Sequence, residues 1–318
     1  MIRIATIGTS MITGMLVEAV SRVEGVRVQA VYSRDLAKAQ QAAADYGAEW
    51  ASDDLEAVLT ASDVDAIYIA SPNSAHGSQA RRAIAAGKHV LVEKPAVPTE
   101  AEWLELVALA DAAGVVLLEA MRTEYDRGTA LVRSLLPEVG VLRAASLRYQ
   151  SRSSRYDLVL AGERVNMFDP AMAGGGLMDL GVYCIHAMLT LFGEPERVAS
   201  EVIPVASGVD GAGTLLARYP GFAVSLEYSK ISTTQLPSEI QGEDGTLVID
   251  HVSGARSVRL VRRDGTVETH TVDAPELDLA GEVERFAVLI AGGADAARDH
   301  ALTASTLRLI EAARGAMA

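Results

Sequence analysis

The chain has 318 residues, enough for two domains of ordinary size, and 49% of them are hydrophobic, so a sizeable core can form and general disorder is excluded. Its 42 acidic residues outnumber 28 basic ones, for a net charge of −14. That sign opposes phosphate backbones and anionic bilayers, so neither nucleic acid nor a membrane is expected as a partner. One cysteine, Cys184, allows no intrachain disulfide and points to a reducing, cytoplasmic location.

The opening run, residues 2–7, reads as a strand and not as a leader, and no apolar run is expected to reach the ~20 residues of a membrane span. Strand-like runs at 2–7, 26–32, 66–70, 90–92 and 115–118 alternate with helical patterns at 15–23, 36–46, 55–60, 79–86 and 100–112. Alternation of this kind predicts βαβ crossovers and a parallel sheet buried on both faces. After Arg122 the pattern changes. A helix at 129–136 and a strand at 141–149 lead into a loop rich in Arg and Ser, where Arg148, Arg152, Arg155 and Arg164 either line a polar cleft or are simply solvated. Gly174-Gly175-Gly176 then opens an apolar helix at 177–192. From 197 to 272, strands broken by Asp210-Gly211, Pro220-Gly221, Asp244-Gly245 and Asp264-Gly265 predict an antiparallel sheet. Helices at 279–290 and 300–313 finish the chain. The expected fold is therefore α/β in two segments: a dinucleotide-binding domain at 1–122 and an α/β domain with a mostly antiparallel open sheet at 123–318.

The segment Gly8-Thr9-Ser10-Met11-Ile12 lies where a dinucleotide fold places a pyrophosphate, on backbone N–H groups at a helix start. The G-x-G-x-x-G pattern is degraded: Ser10 and Thr13 replace the second and third glycines. At the end of the second strand an NAD site usually carries an acid for the ribose hydroxyls. Here Ser33 and Arg34 hold that place, with Lys38 a turn further on and Asp35 read as a helix N-cap. A guanidinium suits a 2′-phosphate, so NADP(H) is preferred, with NAD(H) as the alternative.

Four lysines occur among the 28 basic residues: Lys38, Lys88, Lys94 and Lys230. Lys94 ends the run His89-Val90-Leu91-Val92-Glu93, at the strand mouth where open α/β sheets bind ligands.

The glycine loop, Ser71-Pro72-Asn73 with His76, Glu93-Lys94-Pro95, and the run from Gly174 to Tyr183 occur in an order and spacing that resemble the Gfo/Idh/MocA family, named for glucose–fructose oxidoreductase and inositol dehydrogenase. The resemblance covers nearly the whole chain. It implies a nicotinamide cofactor across the first domain's strand ends, with Ser71, Pro72, Asn73 and His76 along the nicotinamide side and Glu93 and Lys94 near the ring. It also implies a homodimer or homotetramer through the second-domain sheet. Many members have histidine four residues after the motif aspartate. This chain has Tyr183 there, as the glucose–fructose oxidoreductase and dimeric dihydrodiol dehydrogenase branches do, and His186 lies one turn further along as a weaker substrate candidate.

Alcohol oxidation needs removal of a hydroxyl proton while the cofactor takes hydride. Tyrosine and lysine ordinarily titrate near ~10, too high for a base at neutral pH, but an ammonium beside a phenol favours the phenolate. Lys94 and Tyr183 are therefore the expected proton-transfer pair. Asp179, four residues before Tyr183 on one helix face, is expected to accept from a second substrate hydroxyl or to orient Lys94. Arg122 reads either as a contact to cofactor or acidic substrate, or as a salt-bridged hinge residue. No metal-ligand spacing is present and none is needed. The expected activity is an NADP(H)-dependent oxidoreductase of a sugar, polyol or related hydroxylated small molecule. The alternative is a non-catalytic nucleotide-binding sensor of the same fold.

Overall fold

A computed structural model describes residues 1–275 and 277–315. They form two compact units: Met1–Arg122 with Leu277–Ala304, and the remaining residues from Thr123 onward.

The first unit carries strands β1 (Ile2–Ile7), β2 (Val26–Tyr32), β3 (Trp50–Ser52), β4 (Ala66–Ile69), β5 (His89–Glu93) and β6 (Leu117–Ala120) in one sheet. Their order is β3-β2-β1-β4-β5-β6 and every pairing is parallel. All four residues of β4 are buried, which is why the strand reads as an unbroken apolar run. The order reverses between β1 and β4, the point where such sheets open a crevice at their carboxyl ends. The three-residue β3 is too short to show a hydrophobic period and was not expected. Tyr32 and Ser52 close its pairing with β2, and the Trp50 indole donates to Asp63 at 2.9 Å.

The expected continuous second segment, 123–318, is interrupted, because residues Leu277–Ala304 belong to the first unit. The helix Ala280–Ile290 buries Leu279, Val283, Phe286 and Leu289 in the same core as Ile4, Leu16 and Val20. The helical period showed that this segment has an apolar face; it could not show which unit covers that face.

The second unit has an eight-stranded sheet of β7 (Leu142–Gln150), β8 (Arg197–Pro204), β9 (Asp210–Tyr219), β10 (Phe222–Ser229), β11 (Ser238–Gly242), β12 (Gly245–Ile249), β13 (Ser257–Arg262) and β14 (Val267–Thr271). The order is β14-β13-β12-β11-β7-β10-β9-β8. All its neighbours are antiparallel except β7 with β10.

The helical run Pro170–Phe192 corrects one expectation. It is long and apolar enough to cross a membrane, but 78% of its apolar window is buried inside the protein. Its apolarity serves packing on the second-unit sheet. Gly181 lies so close to Tyr228 of β10 that an added Cβ would come within 3.1 Å of the ring.

Candidate functional site

In the first unit the β1 turn is built by close approach. Gly8 has φ +112, and a Cβ there would sit 2.6 Å from the Ala70 carbonyl oxygen at the end of β4. Both the backbone angle and the contact exclude a side chain. Ser10 takes the N-cap position of the helix Met11–Ser21 without a side-chain capping hydrogen bond, so the first-turn N–H groups have no side-chain cap. Its hydroxyl is instead 3.5 Å from that of Thr13, which is fully buried where the usual pattern has its third glycine. Thr9 and Ile12 are half-buried and Met11 is 78% exposed.

At the end of β2, Asp35 accepts from the Lys38 backbone N–H at 3.2 Å and caps the following helix. The Ser33 hydroxyl accepts from the Asp35 N–H. Arg34 is exposed, and the Lys38 ammonium lies 3.7 Å from Asp35. The acid of this turn is thus directed at its own helix, and Ser33 and Arg34 are the polar side chains beside it.

His76 joins two strand ends. Its Nε2 is 2.8 Å from the Ser71 carbonyl and its Nδ1 is 3.0 Å from the Pro95 carbonyl, and the ring is 1% exposed. Burial pushes its pKa down. His76 is therefore a staple between the Ser71 loop and the Lys94-Pro95 turn, where the peptide bond is cis. The Ser71 hydroxyl donates to Gln79; Pro72 is exposed and Asn73, half-buried, starts the next helix.

Beneath that turn lie three buried carboxyls. Glu93 accepts from the Tyr68 hydroxyl at 2.6 Å and from the Lys94 N–H at 3.2 Å. Glu119 accepts from the Ala96 N–H at 2.8 Å and the Thr303 hydroxyl at 2.9 Å. Glu282 is fully buried, and neither of its oxygens has a hydrogen-bond partner among the described residues. Burial raises all three pKa values: Glu119 is pushed up to about 7, Glu93 rises against the Tyr68 hydrogen bond and the charges of Lys94 and Arg122, and Glu282 rises well above the usual range. Arg122 is itself 5% exposed. Glu93 was expected near the nicotinamide as part of the Glu93-Lys94-Pro95 motif, but Glu119 and Glu282 escaped the sequence reading; the one local signal was Glu119 inside the apolar run Leu117-Leu118-Glu119-Ala120.

In the second unit the glycine run is explained by what it touches. An added Cβ at Gly174 would come 2.6 Å from the Met167 carbonyl, one at Gly175 would collide with Asp210, and one at Gly176 would come 2.9 Å from the Gly211 carbonyl. Asp210, read from sequence only as a turn residue, accepts the Leu177 N–H at 2.5 Å and anchors the helix start. Leu177–Gly181 is a π-helical turn, and the α-helix continues from Val182 to Phe192.

Asp179 lies in that π turn. Its carboxylate is 2.6 Å from the ammonium of Lys230, just beyond β10. The structure therefore gives Asp179 a lysine partner within its own unit, one that no local spacing could reveal. Tyr183 is 8% exposed, with its ring 5.7 Å from Tyr149, which is in turn 4.6 Å from His251. His186 is 3% exposed and 3.4 Å from the Thr190 hydroxyl, which donates to Glu124. The Cys184 thiol is buried, and burial pushes its pKa up. Arg148 lies in β7 and pairs with Glu227 of β10, while the loop residues Arg152 and Arg164 pair with Asp157 and Asp169.

Comparison with known proteins agrees with this geometry. Residues 2–121 match the family model of the GFO/IDH/MocA oxidoreductases with an NAD-binding Rossmann fold, and residues 137–248 match the GFO/IDH/MocA C-terminal domain. The chain is 41% identical to the scyllo-inositol 2-dehydrogenase (NADP+) of Bacillus subtilis, over 91% of this chain and 88% of that one. It is 30% identical to a D-xylose 1-dehydrogenase (NADP+) of Haloferax volcanii, over 89% and 87%. Among solved structures, a 3-ketoreductase from Actinomadura kijaniata in complex with NADP and TDP-benzene shares the fold, with a TM-score of 0.89, 23% identity, and coverage of 99% of this chain and 97% of that one.

Proposed function

The chain belongs to the GFO/IDH/MocA oxidoreductase family, and we propose that it is an NADP(H)-dependent dehydrogenase or reductase that interconverts a hydroxyl and a carbonyl on a sugar or polyol. A cyclic polyol of the inositol class is the first substrate to test, given the similarity to a scyllo-inositol dehydrogenase. The observation that carries the cofactor choice is the end of β2: Asp35 caps its own helix, which leaves Ser33 and Arg34 to suit a 2′-phosphate. The first-unit residues fit a dinucleotide. Gly8 leaves room that a Cβ would fill, and the first turn of Met11–Ser21 offers N–H groups without a side-chain cap.

A nicotinamide held by the first-unit residues would supply the hydride acceptor or donor for the substrate carbon. Lys94 and Tyr183 hold and move the hydroxyl proton, and Asp179 accepts from a second substrate hydroxyl. Glu93, hydrogen-bonded to the Lys94 N–H, and His76, bonded to the Pro95 carbonyl, fix the backbone that presents Lys94. A sensor has no need to retain the set Lys94, Asp179 and Tyr183, all three of which this chain has, and that favours the enzyme. A cytoplasmic location, which the single cysteine supports, and a homodimer or homotetramer, which rests on the family resemblance alone, complete the proposal.

The test is nicotinamide absorbance with NADP+ or NAD+ against inositols, aldoses and cyclic diols, with Lys94→Ala alongside. Turnover that favours NADP+ and is lost in the variant supports the proposal. Nucleotide binding without turnover on any substrate favours the sensor.

A further inference from the structure

Lys88 and Lys230 are the two lysines that the sequence motifs do not absorb. Lys38 sits on the surface beside Asp35, and Lys88 donates to the carbonyls of Ala61 and Val64, closing a loop. Lys230 meets Asp179 at 2.6 Å, with side-chain exposures of 13% and 30%. The surface pair Arg152–Asp157 is far wetter, at 38% and 70%. The Lys230–Asp179 pair is thus drawn out of bulk water and still open to a small molecule.

Its backbone is held on both sides. The Lys230 N–H donates to the Gly211 carbonyl at 2.8 Å, and its own carbonyl accepts from Ser153 at 2.8 Å. That same Gly211 carbonyl packs against Gly176 at the start of the Asp179 turn. The turn itself is π-helical, an irregularity that recurs at functional sites. In a chain where four of 28 basic residues are lysine, an ion pair made only for rigidity would suit arginine, whose planar fork binds a carboxylate through two hydrogen bonds. An ammonium offers three donors on a point charge, so one can face Asp179 while others face a ligand.

We infer that Lys230 is a substrate-recognising residue, which with Asp179 grips two adjacent hydroxyls of a polyol. One hydroxyl donates to the Asp179 carboxylate, and the oxygen of its neighbour accepts from the Lys230 ammonium. The pair selects substrates with vicinal free hydroxyls over deoxy analogues. The assignment rests on the functional proposal above, because it takes Asp179 as a substrate contact.

The experiment compares wild type, K230M, K230Q and K230R with scyllo-inositol and with a monodeoxy-inositol series. NADPH affinity by fluorescence and thermal melting are read in parallel. A hydrogen bond to a charged group sets the scale, so K230M raises KM for inositol about tenfold or more. NADPH affinity stays within about twofold of wild type on the same scale. The penalty shrinks for the deoxy-inositol that lacks the gripped hydroxyl, and K230R restores part of the loss. K230Q, which keeps a donor and most of the stem, is read the same way if K230M fails to fold. An unchanged KM with a lowered melting temperature makes the pair a structural tie and overturns this assignment alone. Wild-type protein that turns over no polyol overturns the functional proposal and this assignment with it.

Discussion

The two units pair their acids in opposite ways. Beneath β5 and β6, Glu93, Glu119 and Glu282 face Lys94 and Arg122 with more acids than cations, and burial raises all three pKa values. In the second unit Asp179 pairs with Lys230, Asp126 with Arg256 and Glu227 with Arg148. Asp210 is the exception: its pKa is also raised by burial, with the Arg314 guanidinium 3.9 Å away. The first arrangement raises the pKa values of the acids under the turn that carries Lys94. The second gives each carboxylate a cation partner, which suits recognition of hydroxyls.

The largest effect expected concerns Lys94. Lys94→Ala lowers kcat by roughly 10²–10⁴, the range for removing a proton-transfer group, with nucleotide affinity retained. Turnover near the wild-type level would remove Lys94 from the mechanism. The contrast between the units is then tested by stability. Asp126 is 4% exposed, accepts from Gly128 at 2.7 Å to cap the helix Arg127–Leu135, and pairs with Arg256 at 2.9 Å. Asp126→Ala removes a buried carboxylate that caps a helix and pairs with the partly exposed Arg256, which keeps its bonds to the Pro275 and Ala255 carbonyls, and costs about 1–3 kcal/mol in denaturant unfolding. Glu282→Met moves the other way, because it removes a buried carboxyl that has no hydrogen-bond partner among the described residues. A gain of about 1–3 kcal/mol at neutral pH is expected, and a loss of that size would show that Glu282 has a stabilising role.

The last effect is a slope. The folded protein holds the Glu119 proton more tightly than the unfolded chain, with a pKa moved from 4.5 to about 7. The stabilising contribution is complete below the unfolded value and is lost as pH rises through the folded one. Unfolding free energy therefore declines between those values by up to ~1.4 kcal/mol per pH unit for this one group. Glu119→Gln flattens that part of the profile; an unchanged slope would assign the titration to Glu93 or Glu282.

Local chemistry was legible in the sequence. Asp35 as a helix cap depends on a contact three residues away, and the alternation of strands and helices follows from period alone. The glycine run was legible as the start of an apolar helix, though the neighbours that require it, Met167, Asp210 and Gly211, were not. Contacts between distant segments left no such trace. Lys230 meets Asp179 only because β10 ends beside the π turn, and Leu279–Leu289 join a core begun by Ile4. His76 was legible as part of a loop motif. That both of its ring nitrogens would be taken by carbonyls from two strand ends was not.

The most direct measurement is initial-rate turnover of scyllo-inositol by the purified protein with NADP+ and with NAD+. The account predicts turnover that favours NADP+, through Ser33 and Arg34, and that disappears in Lys94→Ala. A nucleotide-binding protein that turns over neither this polyol nor any sugar with either cofactor would contradict it.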